Sequence, residues 1–335
     1  MADRYAPVAL TAAVTGGDVF ASQSPHIPIG SEAIAEEAVQ AAQAGASCVH
    51  VHAREPHTGE PTGSAEMVAE IVAAIRRRCD VVVSVTTGGA PSMTEDERFA
   101  GVAAARPEIA TFNLGTMNYE GYPTPARWPS TQHDWERRTL EASGDVVILN
   151  TLRMLRRLAG LCRELHVTPE LEVYDLGHLS MARFLLDEGT LEPPVRVQLV
   201  LGVLGGAGNT LEELFMLKQA AERILGADMC AIGVAATGFP MEFRHCAVAL
   251  GWGMDCRVGM EDNLRVRRDR QAKSNAELVE VAIGLADTLA RPVMTPAQLR
   301  AILGPWYQPP GPDGAADTPP DAAETQRPGR AAEPR

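Results

Sequence analysis

The chain has 335 residues, of which 45% are apolar and 22% charged, the balance of a globular fold and not of a disordered polypeptide. Its formal net charge of −13 argues against a nucleic-acid backbone or an anionic membrane surface as main partner, since both attract basic patches. No stretch approaches the roughly 18 uninterrupted apolar residues of a membrane span, and Met1-Ala2-Asp3-Arg4-Tyr5 has no basic segment ahead of a long apolar one, so a cytoplasmic protein is the expectation.

In chain order, short β-branched runs alternate with turns and longer segments of helical period. The predicted strands are Val8–Val14, Ser47–His52, Val81–Thr86, Ile109–Asn113, Glu170–Asp175, Val195–Val203, Met229–Gly233 and Cys256–Met260. Between and after them, the pairs Thr94/Glu97, Thr210/Glu213 and Ser274/Glu277 have the spacing of capping boxes, in which hydroxyl and carboxylate each satisfy a free backbone donor of a helix start. Thr295-Pro296-Ala297-Gln298 repeats that spacing with proline at the first helical position and predicts a short closing helix. The stretch Met117–Gly144, rich in Pro, Trp and Tyr, is too long for an ordinary connection and reads as an excursion of the fourth loop, over the site or at an oligomer contact.

Eight strand–helix units without a linker favour a closed parallel (β/α)8 TIM barrel over an open doubly wound sheet. The barrel would occupy residues 1–307, and the Pro/Ala-rich tail, 308–335, has too few aliphatic residues to fold. Cys48, Cys79, Cys162, Cys230, Cys246 and Cys256 stand singly, with no C-x-x-C pair, and read as reduced structural thiols.

Side chains two apart on a strand share a face, and barrel sites gather where strands run into their loops. His50 and His52 end an apolar strand with Val51 between them, so both imidazoles point into the barrel mouth. Two nitrogen donors on one face suit a catalytic zinc, iron or manganese. A single histidine is more often a core or surface residue satisfied by its neighbours, and it is the pair, two apart at a strand end, that favours metal ligation. Glu261, at the end of the eighth strand, is the best carboxylate to complete the set, because strands two and eight both flank strand one; its bland alternative is a helix cap.

Asp262 would then be a base beside the metal. Arg257 shares the face of Glu261 and would clamp a substrate carboxylate through two parallel hydrogen bonds; its bland alternative is an ordinary barrel ion pair. Thr86, Thr87, Thr111, Asn113, Glu170 and Glu172 end other strands at similar depth. A carboxylate inside an apolar strand, such as Glu172, needs a metal, substrate or arginine partner. The turn containing Gly202, Gly205 and Gly206 opens a helix, an arrangement that suits phosphate or pyrophosphate.

These segments resemble the β-keto acid cleavage enzymes. The likeness runs in order through Leu10-Thr11-Ala12-Ala13-Val14-Thr15-Gly16, His50-Val51-His52-Ala53-Arg54-Glu55, Thr87-Gly88-Gly89-Ala90, Ala110-Thr111-Phe112-Asn113-Leu114-Gly115-Thr116, Pro169-Glu170-Leu171-Glu172-Val173-Tyr174, Val200-Leu201-Gly202-Val203 and Gly259-Met260-Glu261-Asp262-Asn263. The resemblance implies a zinc-dependent acyltransferase that converts a β-keto acid and acetyl-CoA into acetoacetate and a new acyl-CoA. It implies His50, His52 and Glu261 as zinc ligands and Asp262 as the base. Arg257 would bind the keto acid carboxylate, Thr86, Thr111 and Glu172 would line the substrate pocket, and Asp18 would lie near it. It also implies a homo-oligomer, a dimer or tetramer.

Two positions depart conservatively from the best-known member, the 3-keto-5-aminohexanoate cleavage enzyme: Thr86 replaces serine and Asp18 replaces glutamate. The stretch from Gly233 to Phe239 lacks an arginine often found there, which implies a less anionic or more apolar tail on the keto acid, or a changed CoA contact. Two other readings use the same residues. A metal-dependent aldolase or hydrolase would need the triad without CoA, and a non-catalytic metabolite-binding barrel would need no base.

Overall fold

The structure, a computed structural model, describes residues 6–88, 93–118 and 130–308. Eight parallel strands form a closed barrel: β1 (Leu10–Ala13), β2 (Cys48–Val51), β3 (Val82–Val85), β4 (Ile109–Asn113), β5 (Thr168–Val173), β6 (Val195–Leu201), β7 (Cys230–Ala236) and β8 (Asp255–Val258). Each strand pairs with its neighbours in sequence, and β8 closes onto β1. The (β/α)8 expectation therefore holds. The predicted β4 bounds match the structure, whereas β7 runs three residues further than its β-branched stretch suggested, since the small residues Val234, Ala235 and Ala236 continue pairing with Leu199, Val200 and Leu201.

The helices are α1 (Ser31–Gln43), α2 (Ala65–Arg78), α3 (Glu95–Ala105), α4 (Asp134–Ala142), α5 (Leu152–Glu164), α6 (Leu176–Asp187), α7 (Leu211–Leu225), α8 (Met241–Trp252), α9 (Asn275–Thr288) and α10 (Pro296–Arg300). Reciprocal caps start α3, α7 and α10 as expected. The predicted box at α9 is one-sided: Ser274 accepts from the Glu277 backbone, but the Glu277 carboxylate is taken by the Lys273 backbone and the Arg270 guanidinium. Arg270 reaches it from the small hairpin of Arg265–Arg267 and Arg270–Gln271, which no periodicity announced.

Strand alternation sorts the core into two regions. Outward residues such as Val49, Val51, Val83, Val85 and Phe112 pack beneath the helices in one continuous apolar layer. At the N-terminal end of the barrel, Ala9, Cys48, Val82 and Ile109 pack against Leu299 and Leu303, so the segment at and just after α10 plugs the bottom. Higher up, the interior turns polar. Register places His50 beside Ser84 and Ala13, Thr111 beside Glu170, and Asn113 beside Glu172.

Part of the fourth-loop excursion, residues 119–129, lies outside the described residues, as does the tail after 308. The described part docks over the first and second loops. Phe20 meets Trp135 edge to face with ring centroids 5.2 Å apart, and Trp135 Nε1 donates to the Thr58 carbonyl. The fully buried Glu136 accepts from the Ser22, Gln132 and His133 backbones. All six cysteines are free, as expected.

A candidate metal centre at the barrel mouth

His50 and His52 project inward from the end of β2, their rings 5.1 Å apart and nearly perpendicular. Ser84 Oγ lies 3.0 Å from His50 Nδ1, which leaves Nε2 for the centre of the mouth. Burial lowers the His50 pKa to about 3, against the opposing pull of Glu261, so this imidazole is neutral and its lone pair available near pH 7.

Glu261 follows the end of β8, its backbone N–H held by the Ala13 carbonyl of β1. Its Oε2 stands 3.6 Å from His50 Nε2 and 3.5 Å from His52 Nε2. That oxygen is buried and makes no hydrogen bond, while Oε1 accepts from Arg257 Nη2 at 2.8 Å. Burial alone would raise this carboxyl, but the Arg257 guanidinium and then the two imidazoles hold it well below the usual carboxylate range.

One donor atom from each of the three residues lies within 4.8 Å of the others. An orphaned anionic oxygen facing a neutral imidazole is costly by itself and is what a divalent cation would satisfy. Two histidines and one carboxylate fit zinc, and equally iron or manganese, with coordination positions left for substrate.

Arg257 and Asp262 are both buried and doubly bonded, Nε to Oδ2 at 2.7 Å and Nη2 to Oδ1 at 2.8 Å. The Nε/Nη2 edge of Arg257 is thus engaged by Asp262 and Glu261. The reason is chain proximity, since the turn after β8 folds both carboxylates back onto the strand that carries the arginine. Burial pushes the Asp262 carboxyl up despite Arg257, which makes it a better proton acceptor than an ordinary aspartate.

Around this centre, Glu172 is 8% exposed and accepts from the Tyr174 hydroxyl at 3.2 Å. Burial raises its pKa to about 7, with Arg257 pulling down and Glu261 and Glu170 pushing up, so it lies within electrostatic reach of the triad. Glu170 does not belong to the mouth. It sits 3.7 Å from Arg196, which also pairs with Asp255 at 3.0 Å, in a buried ion cluster lower in the barrel.

Thr111 Oγ1 accepts from the Thr87 backbone, and the Thr87 hydroxyl donates to the Thr111 carbonyl. These bonds stitch the ends of β3 and β4. Thr86 Oγ1 accepts from the Gly88 N–H, and Asn113 Oδ1 from the Gly115 N–H. Asp18 lies in the first loop, where its charge acts on both Arg54 and Tyr174.

The glycine turn has a steric explanation in the fold. Gly202 and Gly205 have φ of +85° and +97°, and a methyl group on Gly205 would lie 1.8 Å from the Asn118 carbonyl oxygen, one on Gly206 2.7 Å from that of Tyr174. The α7 N-terminus behind it is already capped, with the Glu213 carboxylate accepting from the Gly208 and Thr210 N–H groups. Where the arginine was missed, Thr237 donates to the Gly202 carbonyl and Asn209 to the Thr237 carbonyl, so neutral groups close that rim.

Three supporting residues escaped the sequence reading. Arg54 is fully buried and bonds Thr15, Gly16, Val19 and Gly59. Glu242 of α8 accepts from the Gly259 N–H and the Asn263 amide, and Asn275 accepts from the Met260 N–H while donating to the Val14 carbonyl. The last two anchor the turn that presents Glu261 and Asp262. Their signal, polar residues at core positions of amphipathic helices, was present at Glu242 and Asn275.

Barrel and triad together define a (β/α)8 protein with a two-histidine, one-carboxylate centre at the C-terminal mouth. The family model for the beta-keto acid cleavage enzymes matches residues 7–304, and the chain belongs to that family. It is 34% identical over 298 residues to the 3,5-dioxohexanoate:acetyl-CoA acetone transferase of Paraburkholderia graminis, covering 88% of this chain and 95% of that one. It is 33% identical over 316 residues to the 3-dehydrocarnitine:acetyl-CoA trimethylamine transferase of Rhizobium meliloti, covering 88% and 96%. The 3-keto-5-aminohexanoate cleavage enzyme of Acetoanaerobium sticklandii is 34% identical over 296 residues, covering 88% and 97%. Among solved structures, apo ObcA shares the fold with a TM-score of 0.63 at 21% identity; the match covers 84% of this chain and 66% of that one, so this chain spans about two thirds of its length.

Proposed function

We propose that this chain is a zinc-dependent acyltransferase that takes a β-keto acid and acetyl-CoA to acetoacetate and a new acyl-CoA. The observation that carries the reading is the unpaired, buried Oε2 of Glu261 facing the imidazoles of His50 and His52, in a chain with full-length relatives whose names include acetyl-CoA transfers.

A bound metal would supply Lewis-acid chemistry at the mouth, drawing electron density from a keto oxygen. The chain's residues do the rest. The substrate carboxylate takes the place of Asp262 at the Arg257 guanidinium, and Asp262, thereby released, accepts the proton from C2 of the keto acid. The C2 carbanion attacks the acetyl-CoA carbonyl and CoA thiolate leaves. The thiolate adds to the original keto carbon, the bond from that carbon to C2 breaks, and the resulting acetoacetate carbanion regains the proton from Asp262. Thr111 and Thr86 face the substrate with hydroxyls whose protons remain available, and Asn113, Glu172 and Asp18 line the pocket. Acetyl-CoA is assigned to the turn of Gly202, Gly205 and Gly206 that follows β6, which offers it backbone groups.

The neutral rim at Thr237 supports a keto acid with a less anionic or more apolar tail. The reading includes a cytoplasmic homo-oligomer, dimer or tetramer, with 1–307 as the catalytic domain and 308–335 as an appended tail. The test is incubation of the zinc-loaded protein with acetyl-CoA and a panel of β-keto acids, with products read by mass. Acetoacetate together with a new acyl-CoA supports the transfer. Turnover of the keto acids without acetyl-CoA, or free CoA thiol as the product, would overturn it in favour of an aldolase or hydrolase.

A further inference from the structure

Arg54 follows His52 in the short strand Ala53–Arg54, which pairs antiparallel with Pro61–Thr62. It is fully buried, and burial lowers its pKa to about 10, so it stays charged at neutral pH. Such a buried cation is tolerated only when its donors are met. Nε donates to Thr15 Oγ1 at 2.8 Å and Nη1 to the Gly59 carbonyl at 2.6 Å, while Nη2 donates to the carbonyls of both Gly16 and Val19. Three of these four acceptors belong to the loop that follows β1. One planar fork therefore fixes that loop from the inside.

The same loop carries the wall on which Glu261 rests. A methyl group added to Gly16 would lie 2.3 Å from Glu261 Cγ and 2.9 Å from Cδ, so the Glu261 side chain lies directly on bare backbone there. Arg257 holds the other carboxylate oxygen. Between wall and guanidinium, Oε2 has one direction left, toward the two imidazoles.

We propose that Arg54 is a positioning residue for Glu261, acting through Gly16: it clamps the first loop so that the loop backbone holds the carboxylate in its ligating orientation. This rests on His50, His52 and Glu261 being the metal site. A residue that sets a ligand's orientation from behind alters metal affinity about 10–100-fold when changed. Lysine cannot replace this fork, because its ammonium is a single point with no planar arrangement of donors.

The test is zinc binding to the metal-free protein, measured by chelator competition, together with the rise in Tm that zinc produces. In Arg54→Lys, zinc should bind about 10–100-fold more weakly and its Tm increment should shrink. Arg98→Lys is the control. Arg98 likewise bonds three loop acceptors, the Thr87 and Leu149 carbonyls and Asn150 Oδ1, and its replacement should leave zinc affinity unchanged. Wild-type affinity in Arg54→Lys overturns the proposal, as does an equal loss in both variants. Should Arg54→Lys fold poorly, Thr15→Val decides, since it removes one acceptor at nearly constant volume: weaker zinc binding supports the clamp, and unchanged binding sinks it. A wild-type protein that binds zinc no better than His50→Ala/His52→Ala refutes the metal-site reading itself, a result distinct from any of these.

Discussion

Arg257 holds Asp262 through two hydrogen bonds, at 2.7 and 2.8 Å, in the interior of the barrel mouth. The two charges thus neutralise one another, and in the proposed reaction an incoming keto acid carboxylate exchanges places with Asp262. In Asp262→Asn, turnover should fall about 10²–10⁴-fold, the range for loss of a general base, while bound zinc per chain stays at the wild-type level. Activity within a few-fold of wild type would remove Asp262 from the proton transfer.

Metal removal should destabilise the fold measurably. Because a ligand that binds only the native state adds RT ln(1 + [L]/Kd), about 2.7 kcal/mol at a hundredfold excess over Kd, chelation should lower Tm by several degrees. Zinc should restore it. The Glu261→Gln variant, which keeps the shape and loses the anionic Oε2, should show no such increment in a calorimetric scan.

Glu172 supplies a pH signature in the metal-free protein. Burial raises its pKa from 4.5 to about 7, so the folded state binds more protons than the unfolded state between those values, and stability falls as pH rises through that window. The full effect is on the order of 3 kcal/mol. Glu172→Gln accepts the same Tyr174 hydroxyl and does not titrate. Its stability relative to wild type should therefore climb from pH 4.5 to 7 in urea titrations, and a flat difference would show that Glu172 keeps an ordinary carboxyl pKa.

The plug at the bottom of the barrel separates stability from chemistry. Leu299 is wholly buried against Ala9, Cys48, Val82 and Ile109. Leu299→Ala should cost roughly 2–5 kcal/mol while specific activity per folded molecule stays unchanged, since the triad lies at the opposite end. A loss of kcat at constant folded fraction would couple the two ends.

Much of this architecture is written locally. Period-two runs and capping residues mark eight strands and most helix starts, and His50-Val51-His52 declares two side chains on one face. The Glu261-Asp262 pair was legible as acidic residues following the eighth strand, but their direction was not, because β8 ends at Val258 and the turn through Gly259 folds them back toward Arg257. What escaped depends on neighbours distant in sequence. The sequence of β5 does not say that Arg196 takes Glu170 and leaves Glu172 to the mouth, because that choice is made by cross-strand register. Nor could spacing show that Arg257 is already occupied, or that Arg54 turns toward the first loop. Such pairings are settled by three-dimensional proximity, and a charged residue's type gives no hint of its partner.

The closing segment has a practical side as well. Leu303 packs against the barrel's N-terminal end, with Tyr307 alongside, so the chain reaches Gln308 on the face turned away from His50, His52 and Glu261. A label attached at Gln308 itself would therefore sit at the base of the barrel, away from the three candidate ligands.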